Sequence, residues 1–423
     1  MKFLTKILLV FIIIFAITSG IFQWLSALQF ERGKNFYKKQ DWYNALTAFQ
    51  YSQKFFSRDP EVYRWLAKTY IHLVENRNPQ AQLDLLKKAE SNLLTAISIE
   101  PEYPYYWALL GRVSEELEKR GATPKKSALD AYHQATILDP NNPLFLELLA
   151  KFLIQEGKPD KAKPLIAKIV KIDLFYVSDP LQLWLENNYS PLELIPVFEN
   201  DIKSLAKLLE FLNAFRHYDA VLLAGEKAIQ MAPGDPEAIM VYASALMINK
   251  NCEKLESVIA PLLKNRQYEE KARRLMLSCF QQTAQYEAAE KEYLNLIALQ
   301  PESVEYRYGL SLLYLFRRQP NLAKAHLLWL FHYHGLKDQN IKSRVILNLA
   351  QISENEKNFP QAFKFYQLYS KMHPEDKRIK AKVDELKAFQ TDDIIYSPWD
   401  KDEEPTDEKI YPPLWREEND EFK

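Results

Sequence analysis

An alanine, then leucine or tyrosine four residues on, an apolar residue three further and a proline five after that recur four times in this chain. The copies are Ala89, Leu93, Ala96 and Pro101; Ala128, Tyr132, Ala135 and Pro140; Ala289, Tyr293, Leu296 and Pro301; and Ala362, Tyr366, Tyr369 and Pro374. Ten residues after the proline, three copies place a small residue behind a leucine, as Leu110-Gly111, Leu149-Ala150 and Leu310-Ser311. The register steps by 34 residues from Ala128 to Ala162 and again from Ala289 to Ala323. A period of that length marks stacked helix pairs. Such pairs bury an apolar core only against their neighbours, so they build a long curved binding surface and no closed catalytic pocket. The chain therefore reads as an all-α binding scaffold and not as an enzyme.

Composition narrows the function further. The 423 residues hold only 9 glycines, and neither Gly33-Lys34-Asn35 nor Gly157-Lys158-Pro159 ends in the Lys-Ser/Thr of a phosphate-cradling loop. The net charge of −1 conceals an asymmetry: residues 392–423 carry twelve Asp/Glu against four Lys/Arg, leaving a mildly basic body. A near-neutral whole argues against nucleic acid as a partner. Two cysteines, Cys252 and Cys279, make no disulfide framework and no zinc site. They fall in neighbouring units, where a disulfide is the alternative to the expected pair of separate thiols packed as small apolar residues. So low a thiol content suits an oxidising compartment.

Residues 7–28 form an uncharged apolar run of 22 positions behind Lys2 and Lys6, close to the roughly 20 residues that cross a bilayer as a helix. The rival is a cleaved signal peptide with Thr18-Ser19-Gly20 as its small-residue site. A transmembrane signal-anchor is preferred, because the apolar run continues through Ile21, Phe22, Trp24 and Leu25. Basic residues flank both ends, with Arg32, Lys34, Lys38 and Lys39 on the far side. The short basic n-region of residues 1–6 favours an N-terminus inside and repeats outside, hence a single-pass inner-membrane protein with a periplasmic body.

The rest parses into helix pairs with a Pro, Asp or Asn near each join. An N-terminal set occupies residues 30–173, beginning with Gly33, Phe36, Ala45 and Phe49. Residues 174–200, with Pro180, Pro191 and Pro196, break the register as a hinge or irregular pair. A second set runs over 201–374, a polar helix at 375–389 caps the open end, and 390–423 reads as a disordered acidic tail. The tail holds two aromatic islands, Tyr396-Ser397-Pro398-Trp399 and Tyr411-Pro412-Pro413-Leu414-Trp415. Tyr396, Trp399, Tyr411 and Trp415 are candidate docking residues, for a partner or for this chain's own groove.

Across residues 30–389 the pattern resembles the tetratricopeptide repeat family, which implies a right-handed α-solenoid of about nine helix pairs. In that family the residue after the small position of each first helix lines the concave groove. Carried onto this sequence, those positions are Lys34, Lys68, Arg112 and Lys151 in the first four units, all basic, and Ser244, Ser278, Leu312 and Gln351 later. Arg64 and Lys38 stand one turn from Lys68 and Lys34. The resemblance thus implies an electropositive groove for acidic protein segments in the N-terminal half and a neutral one beyond it. His326, His332 and His334 cluster in sequence, but an i, i+6 spacing puts the first two on different helix faces, so no metal or other cofactor is expected. The many Trp and Tyr at helical spacing are read as core.

The functional expectation is a membrane-anchored scaffold for protein partners in assembly of an envelope machine, of the polysaccharide, pilus or cytochrome biogenesis type. The alternative is a non-catalytic, glycan-binding arm of a polysaccharide synthesis or export complex.

Overall fold

A computed structural model of the protein describes residues 2–390 apart from Asn76, with side chains from Ile13 onward. Among these residues all regular structure is helical, and it falls into two units divided between Ala245 and Leu246. The first holds α1 (Lys2–Lys38), α2 (Trp42–Phe55), α3 (Pro60–Leu73), α4 (Pro79–Ile99), α5 (Pro104–Lys119), α6 (Ala128–Leu138), α7 (Pro143–Gln155) and α8 (Pro159–Ile172). It continues with α9 (Ser178–Glu186), α10 (Ile195–Phe198), α11 (Ile202–Ala214), α12 (Tyr218–Met231) and most of α13 (Pro236–Ile248), whose last three residues fall in the second unit. The second holds α14 (Cys252–Ile259), α15 (Glu269–Gln282), α16 (Tyr286–Leu299), α17 (Val304–Phe316), α18 (Pro320–His332), α19 (Gln339–Asn355), α20 (Phe359–Met372) and α21 (Lys377–Leu386). Successive helices pack as pairs, α1 with α2 through α7 with α8 and α11 with α12 in the first unit, α15 with α16 through α19 with α20 in the second. The array of tetratricopeptide-like helix pairs implied by the sequence is therefore present.

The repeat signature is a contact between the two helices of a pair. A Cβ on Gly111 would lie 2.5 Å from the Tyr132 ring, and one on Gly33 would lie 2.5 Å from Phe49. The small residue admits the aromatic ring, and the ring is buried in return, Tyr132 to 2% exposure. A buried phenol needs a partner. Tyr132 donates to Glu115 at 2.8 Å and Tyr366 to Glu354 at 2.7 Å, each acceptor lying four residues beyond the small position, while Tyr293 accepts from Gln281. Burial and those carboxylates push the Tyr132 and Tyr366 hydroxyls far above the ordinary range, so they stay protonated donors.

Helix starts follow from side chains that accept from the first orphan amides: Asp59, Asn78, Asn142 and Asp376 all cap in this way, the first three with Pro at the following position. Turns inside the pairs pass through the left-handed region, at Gly157 and, without glycine, at Gln40, Arg216, Ala284, Arg318 and Lys357. This explains how so glycine-poor a chain turns so often. Residues 174–200 form two 3-10 turns, Leu174–Val177 and Pro191–Leu194, with the short α9 and α10. Their prolines stand in helix first turns, and Trp184 fills the local core.

Two findings depart from the sequence reading. Cys252 and Cys279 are not separate thiols: they form a disulfide with their Cα atoms 5.7 Å apart. Helix α14 has 8 residues against 14 in α15, and its first residue, Cys252, lies against α15. The second departure concerns α1. It runs unbroken from Lys2 to Lys38, and it is long and apolar enough to cross a membrane. Yet the last turns of the apolar run already belong to the repeats: Ser26 is buried and exchanges hydrogen bonds with Ser52, and Phe22 stacks on Phe55. Upstream, Ile13, Phe15, Ile17 and Ile21 are exposed, and Thr18 satisfies its hydroxyl on the carbonyls of Ile14 and Phe15.

Candidate functional site

The five basic groove residues expected in the first four units come from α1, α3, α5 and α7, and the structure gives them unequal environments. Lys34 pairs with Glu31 one turn back and lies over the Phe30 ring. Arg64 is held by Glu61, which also accepts from Tyr106. Lys151 bonds Asp179 at 2.9 Å and reaches Glu147 at 3.4 Å; against the downward pull of burial, these two acids raise its proton affinity. Three of the five cations are thus neutralised within the chain. Lys68 and Arg112 have no carboxylate partner among the described residues.

Lys68 and Arg112 form the unneutralised centre of the face. The Lys68 ammonium sits 5.0 Å from the Trp65 ring centroid. Burial, then the Arg64 guanidinium, then Arg112 depress its proton affinity, with Glu61 opposing them. Arg112 is exposed, and its charge is felt by Tyr37, whose hydroxyl is pushed up chiefly by burial and pulled back by that guanidinium. Tyr37, Trp42, Trp65 and His72 pack edge-to-face and stacked around this point, Tyr37 to Trp65 at 5.0 Å and Trp42 to His72 at 4.2 Å. Sequence reasoning assigned the aromatic residues to the core. Trp65 and Tyr37 are instead half-buried at its edge, supporting the cations.

Beside Arg112 opens a cleft of about 370 Å³ that Lys151 also lines. Its wall is apolar at Ile71, Leu148 and Phe152, and acidic at Glu115 and Glu116, which Lys119 and Arg120 neutralise. An anion at Arg112 with an apolar side chain beside it matches this arrangement. The Glu31 and Glu61 partners stand three residues before their cations and were visible in the sequence. Asp179 lies 28 residues after Lys151 and was not.

The remaining sequence candidates are scattered. Ser244 donates to the Met240 carbonyl, while Leu312 and Gln351 are exposed. Lys38 is exposed in the last turn of α1. His326 stacks on Tyr314, and burial with the neighbouring Arg307 lowers its pKa to about 4. His332 ends α18 against Phe331. Tyr396, Trp399, Tyr411 and Trp415 lie outside the described residues.

No protein-family model matches the chain, and no curated protein matches it in sequence. Among solved structures it is similar to a thermophilic TPR protein of Thermus thermophilus, at 20% identity over 52% of this chain and 99% of that one, with a TM-score of 0.29. Yeast Tom70 aligns at 12% identity over 86% and 96% with a TM-score of 0.33, and the human IFIT1 dimer with PPP-AAAA at 14% over 84% and 88% with a TM-score of 0.34. At these values the likenesses carry no argument about a ligand.

Proposed function

We propose that this protein is a membrane-anchored scaffold that holds acidic protein segments against the α1, α3, α5 and α7 face, in assembly of an envelope machine. The observation that carries this reading is Lys68 and Arg112, neither in an ion pair among the described residues, flanked by Trp65 and Tyr37 and by an apolar-walled cleft. The Arg64 and Arg112 charges act against protonated Lys68, and an arriving carboxylate would offset them. The glycan-binding alternative is weaker at this place, because Lys68 and Arg64 lie over the Trp65 ring on which a sugar would stack. Placement of the repeats outside the cytoplasm is supported by the basic n-region at the start of α1 and by the Cys252–Cys279 disulfide, since such bonds persist in oxidising compartments.

A photo-crosslinking residue in place of Ile71, at the cleft wall, tests the reading in intact cells. The expected product is a protein adduct on an acidic segment, lost in the Lys68→Glu/Arg112→Glu variant. Adducts of equal yield in the charge-reversed variant, or adducts to glycan alone, would refute it.

A further inference from the structure

The α1–α2 hairpin fixes where the membrane surface must fall, and this step rests on the anchor reading above. The two helices are antiparallel, with Gly33 against Phe49, Ser26 against Ser52 and Phe22 against Phe55. The α2–α3 corner, Phe56 to Asp59, follows directly and so stands beside α1 near residues 18–22. The Phe22–Phe55 contact falls at the last residue of α2, which leaves residues 7–21 of the apolar run beyond it. Fifteen residues at 1.5 Å each give a rod of about 22 Å, short of the ~30 Å hydrocarbon core. A span that short is met by thinning of the bilayer or by drawing the α2–α3 corner into the near headgroups.

The corner has the chemistry for that position. Phe55 and Phe56 are half-buried with Lys54 and Arg58 exposed beside them, while Trp24 (64% exposed) and Tyr51 (51% exposed) stand about a turn farther from the corner along α1 and α2. Aromatic rings with adjacent cations are what a headgroup layer retains. We infer that the α2–α3 corner, through Lys54, Phe55, Phe56 and Arg58, is a second membrane contact that rests in the lipid headgroup layer. The first repeat therefore lies on the bilayer and is not held above it by a stalk.

Spin labels on the full-length protein in vesicles of phosphatidylcholine and phosphatidylglycerol test this. Single cysteines replace Thr18 in the span, Ser57 in the corner and Asn141 in a distant exposed turn; the native disulfide does not react with the label. The expected result is a graded series, in which the Ser57→Cys label shows severalfold lower access to a water-soluble nickel relaxant than the Asn141→Cys label and lower oxygen access than the Thr18→Cys label. If Ser57→Cys behaves like Asn141→Cys while Thr18→Cys reads as hydrocarbon, the corner contact is wrong and the anchor stands. If Thr18→Cys itself reads as water, the anchor is wrong and the corner contact falls with it.

Discussion

Replacing Cys252 and Cys279 together by alanine removes a cross-link that closes 27 residues of chain. For a loop of that length, the chain-entropy relation gives about 3.5 kcal/mol at 25 °C. The structure shows where the loss falls. Helix α14 offers Cys252, Leu255 and Ile259 as its buried residues and is followed by a 3-10 turn at Leu262–Lys264 before α15 begins. So short an element is held to the array less by its own apolar face than by the covalent link. In a unit of this size, a loss of that magnitude lowers the melting temperature by roughly 10 °C. Hydrogen exchange should show the largest gain over residues 252–268, with α19 and α20 nearly unchanged. The assay is calorimetry plus exchange on protein purified without reductant, beside wild type treated with dithiothreitol, which keeps both side chains and breaks only the bond. Two free thiols per chain before reduction, or a melting temperature unmoved by dithiothreitol, would refute the reasoning.

Three further outcomes follow from particular residues. His326 has a native pKa near 4 against 6.5 unfolded, so its contribution is complete above pH 6.5 and disappears as pH falls to 4, up to about 3 kcal/mol; urea midpoints across that range should separate wild type from His326→Phe, and parallel curves would count against it. Gly225→Ala puts a Cβ 2.5 Å from the Ala245 Cβ and 3.2 Å from the Tyr242 Cα, where overpacking exceeds the helix-propensity gain and costs about 1–2 kcal/mol net by thermal melt; an unchanged melt would show that α12 and α13 yield freely. A synthetic peptide of residues 392–423 should bind the protein lacking that segment in a salt-sensitive way, weakened at least tenfold by Lys68→Glu/Arg112→Glu in fluorescence anisotropy; equal binding by both forms would separate the acidic tail from the basic face.

The repeat was legible because its signature is a contact between neighbours about twenty residues apart. A small residue such as Gly111 and a ring such as Tyr132 carry the pairing on their own. The basic face was legible as positions and only partly as charge. Identity and spacing give Lys151, but its neutralisation by Asp179 depends on how α9 is placed by a stretch that follows no repeat. The disulfide was hidden for a related reason: a separation of 27 does not match the 34-residue period, and the short α14 on which Cys252 sits has no mark in the pattern. The boundary of the apolar run was blurred because Phe22 and Ser26 suit a bilayer and a helix interface equally well.

Helix α1 has 37 residues and no proline, a rod of about 55 Å whose lower part is apolar and whose upper part is the first helix of the array. No joint separates the two. In a bilayer, a partner pulling sideways on the first unit therefore applies torque to the span, and the span can answer only by tilting. Tilt shortens the thickness it covers and meets a restoring force of fractions of a kcal/mol per ångström. Under the proposed anchoring, load on the repeats becomes deformation of the membrane, and the thickness of that membrane in turn sets the angle at which the repeats are presented.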